Sequence, residues 1–342
     1  MIHIHKYNIF SIDVMTKLRC ASFFAGVGGI DIGFEGFGTE KSKTFEVVYA
    51  NEIDASPVKT YELNSDLKVD CRDIRDVASD ADKVPDFDVM LAGFPCQAFS
   101  IAGHRKGFND EKGRGTLIFE LIKIIRIKKP QILFLENVKN LTSHNHGDTF
   151  NTIIDALEQE GYKNPHYLVM NAMEYGNTPQ NRERIYIAAF RDEEMNSKFT
   201  FPEKIPLTRG LGDVIDFHTK VNDAYYYTEG KYKGDICSKL AEAMDETNAV
   251  YQWRRKYVRK NMSGAVPTLT ANMGEGGHNV PLILTKYGIR KLTPRECFNA
   301  QGFPNDFKLP SVLPDSKLYK QAGNSVCVSV ISRIAEQIEK VL

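Results

Sequence analysis

Leu18 to Gly29 reads LRCASFFAGVGG, and this stretch decides the fold class. Leu18 to Phe24 has the apolar and aromatic character of a strand. It runs directly into the glycine-rich Ala25 to Gly29, and Ile30 to Gly36 then starts a helix. Glycine lets a backbone approach a ligand closely, and a helix N-terminus offers free N–H groups to it. Taken alone, Phe24-Ala25-Gly26-Val27-Gly28-Gly29 leaves two readings open, a loop that cradles a nucleotide-type ligand and an ordinary α/β turn.

The flanking sequence repeats the same alternation. Glu46 to Ala50 is a second strand, followed by a helix over Asp54 to Asn64. Asp88 to Ala92 is a third strand, ending at Gly93, Phe94 and Pro95. Thr116 to Lys128 has apolar residues at helical spacing, Gln131 to Leu135 is a strand, and Phe150 to Glu160 is a helix. Tyr167 to Asn171 and Arg184 to Phe190 complete the strands. Short apolar runs alternating with amphipathic stretches predict an α/β fold with a mainly parallel, Rossmann-like sheet. After about Pro202 glycine, proline and polar residues scatter among short β-like pieces as far as about Leu284, which predicts a smaller, irregular β-rich domain. The chain becomes helical again from Leu292, and Val326 to Leu342 is amphipathic. The expected division is a first domain of residues 1–202 plus 323–342, a second of 203–285, and a hinge and returning segment of 286–322.

Composition bounds the function. The chain has 342 residues, 42% of them hydrophobic, enough for a sizeable core and too many for a disordered chain. No run of about 18 apolar residues predicts a membrane span. Met1 to Lys17 mixes His, Lys and Asp with apolar residues and lacks the features of a signal peptide, so a soluble cytoplasmic protein is expected. None of the six cysteines forms a C-x-x-C pair or takes zinc-finger spacing. The net charge of +0 neither demands nor forbids a nucleic-acid partner, because binding needs a local basic surface. Tyr251 to Lys260, YQWRRKYVRK, is such a local cluster.

Four pieces carry chemistry. Glu52 follows the second strand, where an acidic residue suits a pair of ribose hydroxyls. Asp73 could accept a hydrogen bond from an adenine amino group. Both also read as solvated loop carboxylates. Cys96, in Gly93-Phe94-Pro95-Cys96-Gln97, follows the carboxyl end of a strand, where open α/β sheets place ligands; it reads as a nucleophile or as a buried structural thiol. Glu136 ends another strand and suits general acid–base work, a helix cap or an ion pair. Arg182 and Arg184 alternate along an extended chain, and so could face one site or simply form a surface charge run.

In this order the pieces resemble the cytosine carbon-5 DNA methyltransferases of bacterial restriction–modification systems. The family pattern includes an F-x-G-x-G-G loop, then P-C-Q, E-N-V and Q-x-R-x-R motifs. They are matched by Phe24 to Gly29, Pro95-Cys96-Gln97, Glu136-Asn137-Val138 and Gln180 to Arg184. Two late motifs are matched by Arg290 to Glu296 and by Gly323-Asn324-Ser325-Val326. The resemblance implies S-adenosylmethionine as cofactor, S-adenosylhomocysteine as product, and no metal, so His3, His5, His144 and His146 are not expected to be ligands. It implies a cofactor set of Phe24, Ala25, Gly26, Gly28, Gly29, Glu52, Ile53, Asp73, Ile74, Gly93, Pro95, Asn324, Ser325 and Val326. It implies that Cys96 adds to carbon 6 of a flipped-out cytosine. Glu136 then holds ring nitrogen 3 and the amino group, Arg184 the carbonyl oxygen, and Arg182 the Cys96 loop.

Double-stranded DNA is the implied partner. Gln97, Ser100, Arg105 and Lys106 belong to a segment, Gln97 to Gly115, resembling the family's mobile loop. Thr268, in a T-L element, would support the flipped nucleotide's backbone, and Gly276 and Gly277 would belong to a recognition loop. Arg254 and Arg255, with Lys256, Arg259 and Lys260, suit phosphates. A second domain this small suggests a target of roughly four to six base pairs. A separately encoded endonuclease and a monomer on DNA complete the expectation. The rival readings are a tRNA methyltransferase of the same family, whose cysteine-phenylalanine-threonine signature is not found, and a non-catalytic DNA-binding protein on this fold.

Overall fold

The computed structural model describes residues 17–95, 117–231, 235–254, 256–274 and 279–342. Cys96, Gln97, Ser100, Arg105, Lys106, Arg255, Gly276 and Gly277 lie outside these residues, as does the Gln97 to Gly115 segment.

The chain opens with β1 (Leu18–Phe23) and α1 (Gly29–Glu35), then a short ribbon of β2 (Gly36–Phe37) and β3 (Glu40–Lys41). β4 (Phe45–Asn51) leads to α2 (Ala55–Asn64), whose first turn is capped by the Asp54 carboxylate accepting from the Ser56 N–H. α3 (Ile74–Ser79), β5 (Val89–Gly93), α4 (Leu117–Lys128), β6 (Ile132–Val138) and α5 (Asp148–Gln159) follow. β7 (His166–Asn171), the single turn α6 (Ala172–Tyr175), β8 (Gln180–Asn181), β9 (Glu183–Phe190) and α7 (Glu193–Lys198) end the first half.

The main sheet has the order β4-β1-β5-β6-β9-β7. β4, β1, β5 and β6 run parallel, and β9 is antiparallel to both its neighbours. This is the mainly parallel α/β sheet that the sequence predicts. Strands covered on both faces read as continuous apolar runs, and VMLAG in β5 and ILFL in β6 are of that kind. On one face α3, α4 and α5 bury Val77, Leu121, Ile125, Ile153 and Leu157 against the sheet.

The second half contributes α8 (Ile236–Ala243), β10 (Tyr251–Trp253), β11 (Val258–Lys260), β12 (Val266–Pro267), β13 (Leu282–Thr285) and β14 (Gly288–Lys291). It ends with α9 (Pro294–Ala300), α10 (Asp315–Asn324) and α11 (Val328–Glu339). β11-β10-β13-β14 form a small antiparallel sheet, and β12 pairs in parallel with β8. The β13–β14 hairpin, joined across Thr285 and Gly288, spans the boundary expected after residue 285. α9 starts with a reciprocal Thr293–Glu296 capping box and proline in its first turn. α11 returns to the main sheet and covers its second face beside α1, burying Val330, Ile331, Ile334 and Ile338. Among the described residues no helix is long and apolar enough to cross a membrane.

One boundary matters for function. β6 continues through Val138, beyond the Leu135 expected from sequence, because β9 pairs with it as far as Val138 opposite Arg184. Glu136 and Asn137 therefore stand within a strand rather than on a loop after it.

Candidate active site

A cleft of about 550 Å³ opens at the carboxyl ends of the parallel strands, within the usual range for small-molecule sites. Phe24, Ala25, Gly26 and Gly29 line it after β1, Glu52 and Ile53 after β4, and Gly93, Phe94 and Pro95 at the end of β5. Glu136, Arg182 and Arg184 line it from β6 and β9, and Asn324, Ser325 and Val326 close it from the end of α10.

The turn after β1 is held in a conformation that side chains resist. Phe24 has φ 54, Gly26 φ 57 and Gly28 φ 84. A non-glycine residue in the left-handed region is uncommon, and such strain gathers at ligand sites. Gly26 donates its N–H to Glu52 Oε2 (3.0 Å), while Asp54 donates its own to Glu52 Oε1 (2.8 Å). Burial raises the Glu52 carboxyl above the usual range, partly offset by these bonds. At Gly29 a Cβ would stand 2.7 Å from Ser325 Oγ, so glycine is what lets the α10 end approach the loop.

Gly28, Asp73 and Ile74 do not line the cleft. Gly28 packs on the ring of Tyr61, where a Cβ would stand 3.0 Å from the ring. The Asp73 carboxylate caps α3, accepting from the Arg75 N–H (2.9 Å) and pairing with the Arg75 guanidinium (3.2 Å). Ile74 is buried in the core on the α3 side of the sheet. Beneath the glycine loop lies a group that sequence reasoning missed. Asp31, buried in α1, accepts from Ser22 Oγ (2.6 Å) and Tyr61 Oη (2.7 Å), and desolvation pushes its carboxyl up to about 6. An acid on the inward face of an otherwise apolar turn is the signal that could have found it.

The reacting end is built by strand register. Gly93 pairs with Glu136, Glu136 with Tyr186, and Val138 with Arg184. Arg184 is thus a diagonal neighbour of Glu136, and its Nε lies 3.0 Å from Glu136 Oε1. Burial raises the Glu136 carboxyl, opposed by the charges of Arg184 and Arg182. Asn137 donates from Nδ2 to the Phe94 carbonyl (2.8 Å) and accepts the Val138 N–H (2.8 Å). The middle residue of the E-N-V motif therefore pins the backbone that leads through Pro95 to Cys96.

Arg182 and Arg184 both reach the cleft, but they do different work. Arg182 is buried and donates to the carbonyls of Leu269 (2.8 Å), Gly323 (3.2 Å) and Ser325. Gln180 donates from Nε2 to the Ala300 carbonyl (2.6 Å). Thr268 donates its hydroxyl to the Asn181 carbonyl (2.6 Å), so that hydroxyl is engaged within the protein. In the basic cluster, Arg254 and Lys256 are exposed at the β10–β11 turn, whereas Arg259 donates to Gln252 Oε1 (2.6 Å) and Lys260 pairs with Glu246.

A parallel sheet with one reversed strand, and a cleft joining a glycine loop to a carboxylate–arginine pair at the strand ends, define an α/β protein with its ligand-sized cleft where open sheets of this kind place their ligands. The family model for C-5 cytosine-specific DNA methylases matches residues 18–340. The type II methyltransferase M.Bsp6I of Bacillus sp. (strain RFL6) is 56% identical over 323 residues, covering 94% of this chain and 99% of that protein. The type II methyltransferase M.NlaX of Neisseria lactamica is 38% identical over 328 residues, covering 95% and 97%. Among solved structures, the Entamoeba histolytica methyltransferase EhMeth shares the fold, with a TM-score of 0.68 at 19% identity and coverage of 95% and 98%. The chain belongs to the C-5 cytosine-specific DNA methylase family: it is a DNA (cytosine-5-)-methyltransferase. The family draws its methyl group from S-adenosylmethionine.

Proposed function

We propose that this chain is the methylase of a type II restriction–modification system and acts through Cys96 on a flipped-out cytosine in a short duplex sequence. The observation that carries the mechanism is the Glu136–Arg184 pair at the end of β6, one strand away from the Gly93-Phe94-Pro95 segment that leads to Cys96.

Carbon 5 of cytosine is a weak nucleophile. Addition of the Cys96 thiolate to carbon 6 sends electron density into the ring and makes carbon 5 nucleophilic. Glu136, with its carboxyl raised by burial, shares a proton with ring nitrogen 3 and accepts from the exocyclic amino group, stabilising the developing charge. Arg184 donates to the carbonyl oxygen while keeping Glu136 oriented. Bound S-adenosylmethionine supplies an electrophilic methyl group at carbon 5. Loss of the carbon-5 proton and release of the Cys96 sulfur restore the aromatic base. A base stacked in a duplex cannot reach these groups, so the target is extruded first.

The donor set suits that cofactor. Glu52 offers carboxylate oxygens to a ribose diol, Gly26 and Gly29 expose backbone on one wall, and Phe24, Ile53 and Pro57 give an apolar seat for a purine. Residues 203–285 would form the target-recognition domain, with Arg254 and Arg255 on phosphates and Gly276 and Gly277 in the recognition loop. Likeness to two type II methyltransferases over nearly their whole lengths supports the restriction–modification role. A separately encoded endonuclease sharing the site, and a monomer acting on DNA, are part of the proposal. Incubation with methyl-labelled S-adenosylmethionine and mixed-sequence duplex DNA, followed by mapping of 5-methylcytosine, tests the proposal. Methylation confined to one motif of about four to six base pairs is expected. No transfer to DNA, or transfer to tRNA in its place, would overturn it.

A further inference from the structure

Arg182 joins segments that are far apart in sequence and that serve different ligands under the function proposed above, on which the inference rests. Its guanidinium takes the carbonyl of Leu269, beside Thr268, and the carbonyls of Gly323 and Ser325, which flank Asn324 in the cleft wall. The carbonyls at the end of α10 lack intrahelical partners, and a buried cation is well placed to satisfy them. Arg182 is not alone in the joint. Gln180 accepts the Leu269 N–H at 3.5 Å, and Gln301 donates to the Ala322 carbonyl at 2.7 Å. At Gly323 a Cβ would stand 2.1 Å from the Thr270 carbonyl carbon, and at Gly274 it would stand 2.2 Å from the Ser316 carbonyl oxygen. α10 thus lies backbone-to-backbone against residues 270–274.

The opposite side of α10 grips the cofactor half. Thr60 Oγ1 donates to Gln321 Oε1 (2.8 Å), and Gln321 Nε2 donates to Ser56 Oγ (3.1 Å). Ser56 lies in the first turn of α2, directly after Glu52 and its bonds to Gly26 and Asp54. A continuous run of hydrogen bonds therefore leads from Leu269 through Arg182 and α10 to the Glu52 end of the cleft.

We infer that Arg182 is a positioning residue that couples the two ligands: it locks the Thr268–Leu269 segment to the Gly323–Ser325 wall, so that a ligand in the cofactor cleft tightens DNA binding, and DNA tightens the cofactor equally. Coupling of this kind is reciprocal and spans about 5- to 150-fold in affinity.

The experiment measures the affinity of the full chain for a duplex carrying its methylated motif, with and without S-adenosylhomocysteine, and for S-adenosylhomocysteine with and without that duplex. The wild type is expected to show at least about fivefold coupling. Arg182→Lys keeps the charge but cannot span three carbonyls, and is expected to bring the factor towards one. Gln321→Leu leaves Arg182 in place and cuts α10 from α2, so it is expected to lower the factor too, and it decides the matter if Arg182→Lys does not fold. Variants that bind both ligands more weakly yet keep the wild-type factor would overturn the inference, because a purely structural role predicts that pattern. A wild type that binds both ligands without coupling would overturn it while leaving the proposed function intact. A wild type that binds neither would remove both.

Discussion

Glu136, at the carboxyl end of β6, and Glu296, in the first turn of α9, are both buried and each faces an arginine, partly buried Arg184 in the first case and fully buried Arg290 in the second. Glu296 is saturated: it accepts from Arg290 Nη1 and Nη2 (2.8 and 2.7 Å), from the Thr293 N–H and hydroxyl (2.7 and 3.0 Å), and from the Asp216 N–H (3.0 Å). A carboxylate has about four acceptor positions, and these are filled. Glu136 meets Arg184 through one contact at Oε1 and turns its remaining capacity to the cleft. Both are buried charges, but a saturated carboxylate fixes a turn, whereas one held by a single partner is reserved for a ligand.

The comparison breaks most visibly at Glu136. Glu136→Gln keeps the shape and removes the shared proton, so single-turnover methylation should fall by about 10²- to 10⁴-fold. Its thermal midpoint should stay close to the wild type's. If the variant instead unfolds with its activity per folded molecule intact, the distinction between the two sites is wrong. Glu296→Ala strands the Arg290 guanidinium in the core and should cost about 3–5 kcal/mol in urea denaturation. A loss of methylation with unchanged stability would contradict the structural role given to that pair.

Asp31 is an intermediate case, a buried carboxylate held by two hydroxyls and, among the described residues, no cation. Its carboxyl is raised from 3.8 to about 6, so the folded state binds the proton more tightly than the unfolded one. Its contribution to stability is therefore fully present below about 3.8 and is lost as pH rises through about 6. A shift of two units corresponds to about 3 kcal/mol. Relative to Asp31→Asn, the wild type should gain that much stability as the pH is lowered from 7 to 4. A pH-independent difference between the two proteins would remove the buried-acid reading. The smallest effect belongs to Lys139 and Glu183, an ion pair at 2.9 Å with both side chains about half exposed. Lys139→Met should change stability by no more than about 1 kcal/mol and leave turnover unchanged. A larger loss in the melting curve would mean that simple exposure misjudges which pairs matter.

The sheet and its cleft were legible because their signals are local. A strand and a glycine turn lie within twelve residues at Leu18–Gly29 and lead straight into a helix, and Glu52, Glu136 and Arg184 stand at the ends of strands whose apolar runs are plain. What was not legible lies in partners distant along the chain. Arg182 finds carbonyls 87, 141 and 143 residues away, and Tyr61 reaches Asp31 across 30. No periodicity encodes such pairings. Asp73, read from its place after a short strand as a partner for an adenine amino group or as a loop carboxylate, has a further local role that the sequence reading did not weigh: its side chain caps α3, as aspartate before a helix commonly does. The cluster at Tyr251–Lys260 counted five cations, and two of them already have partners within the protein, Arg259 on Gln252 and Lys260 on Glu246.

The central claim is a covalent bond between Cys96 and carbon 6 of cytosine. A duplex containing the methylated motif with 5-fluorocytosine at the target tests it most directly, because fluorine cannot leave as a proton does and the sulfur–carbon bond then persists. With S-adenosylmethionine present, the account predicts a DNA adduct that survives denaturation, with mass spectrometry placing the nucleotide on the peptide that contains Cys96. Turnover of ordinary cytosine accompanied by no adduct, or by an adduct on another residue, would contradict it.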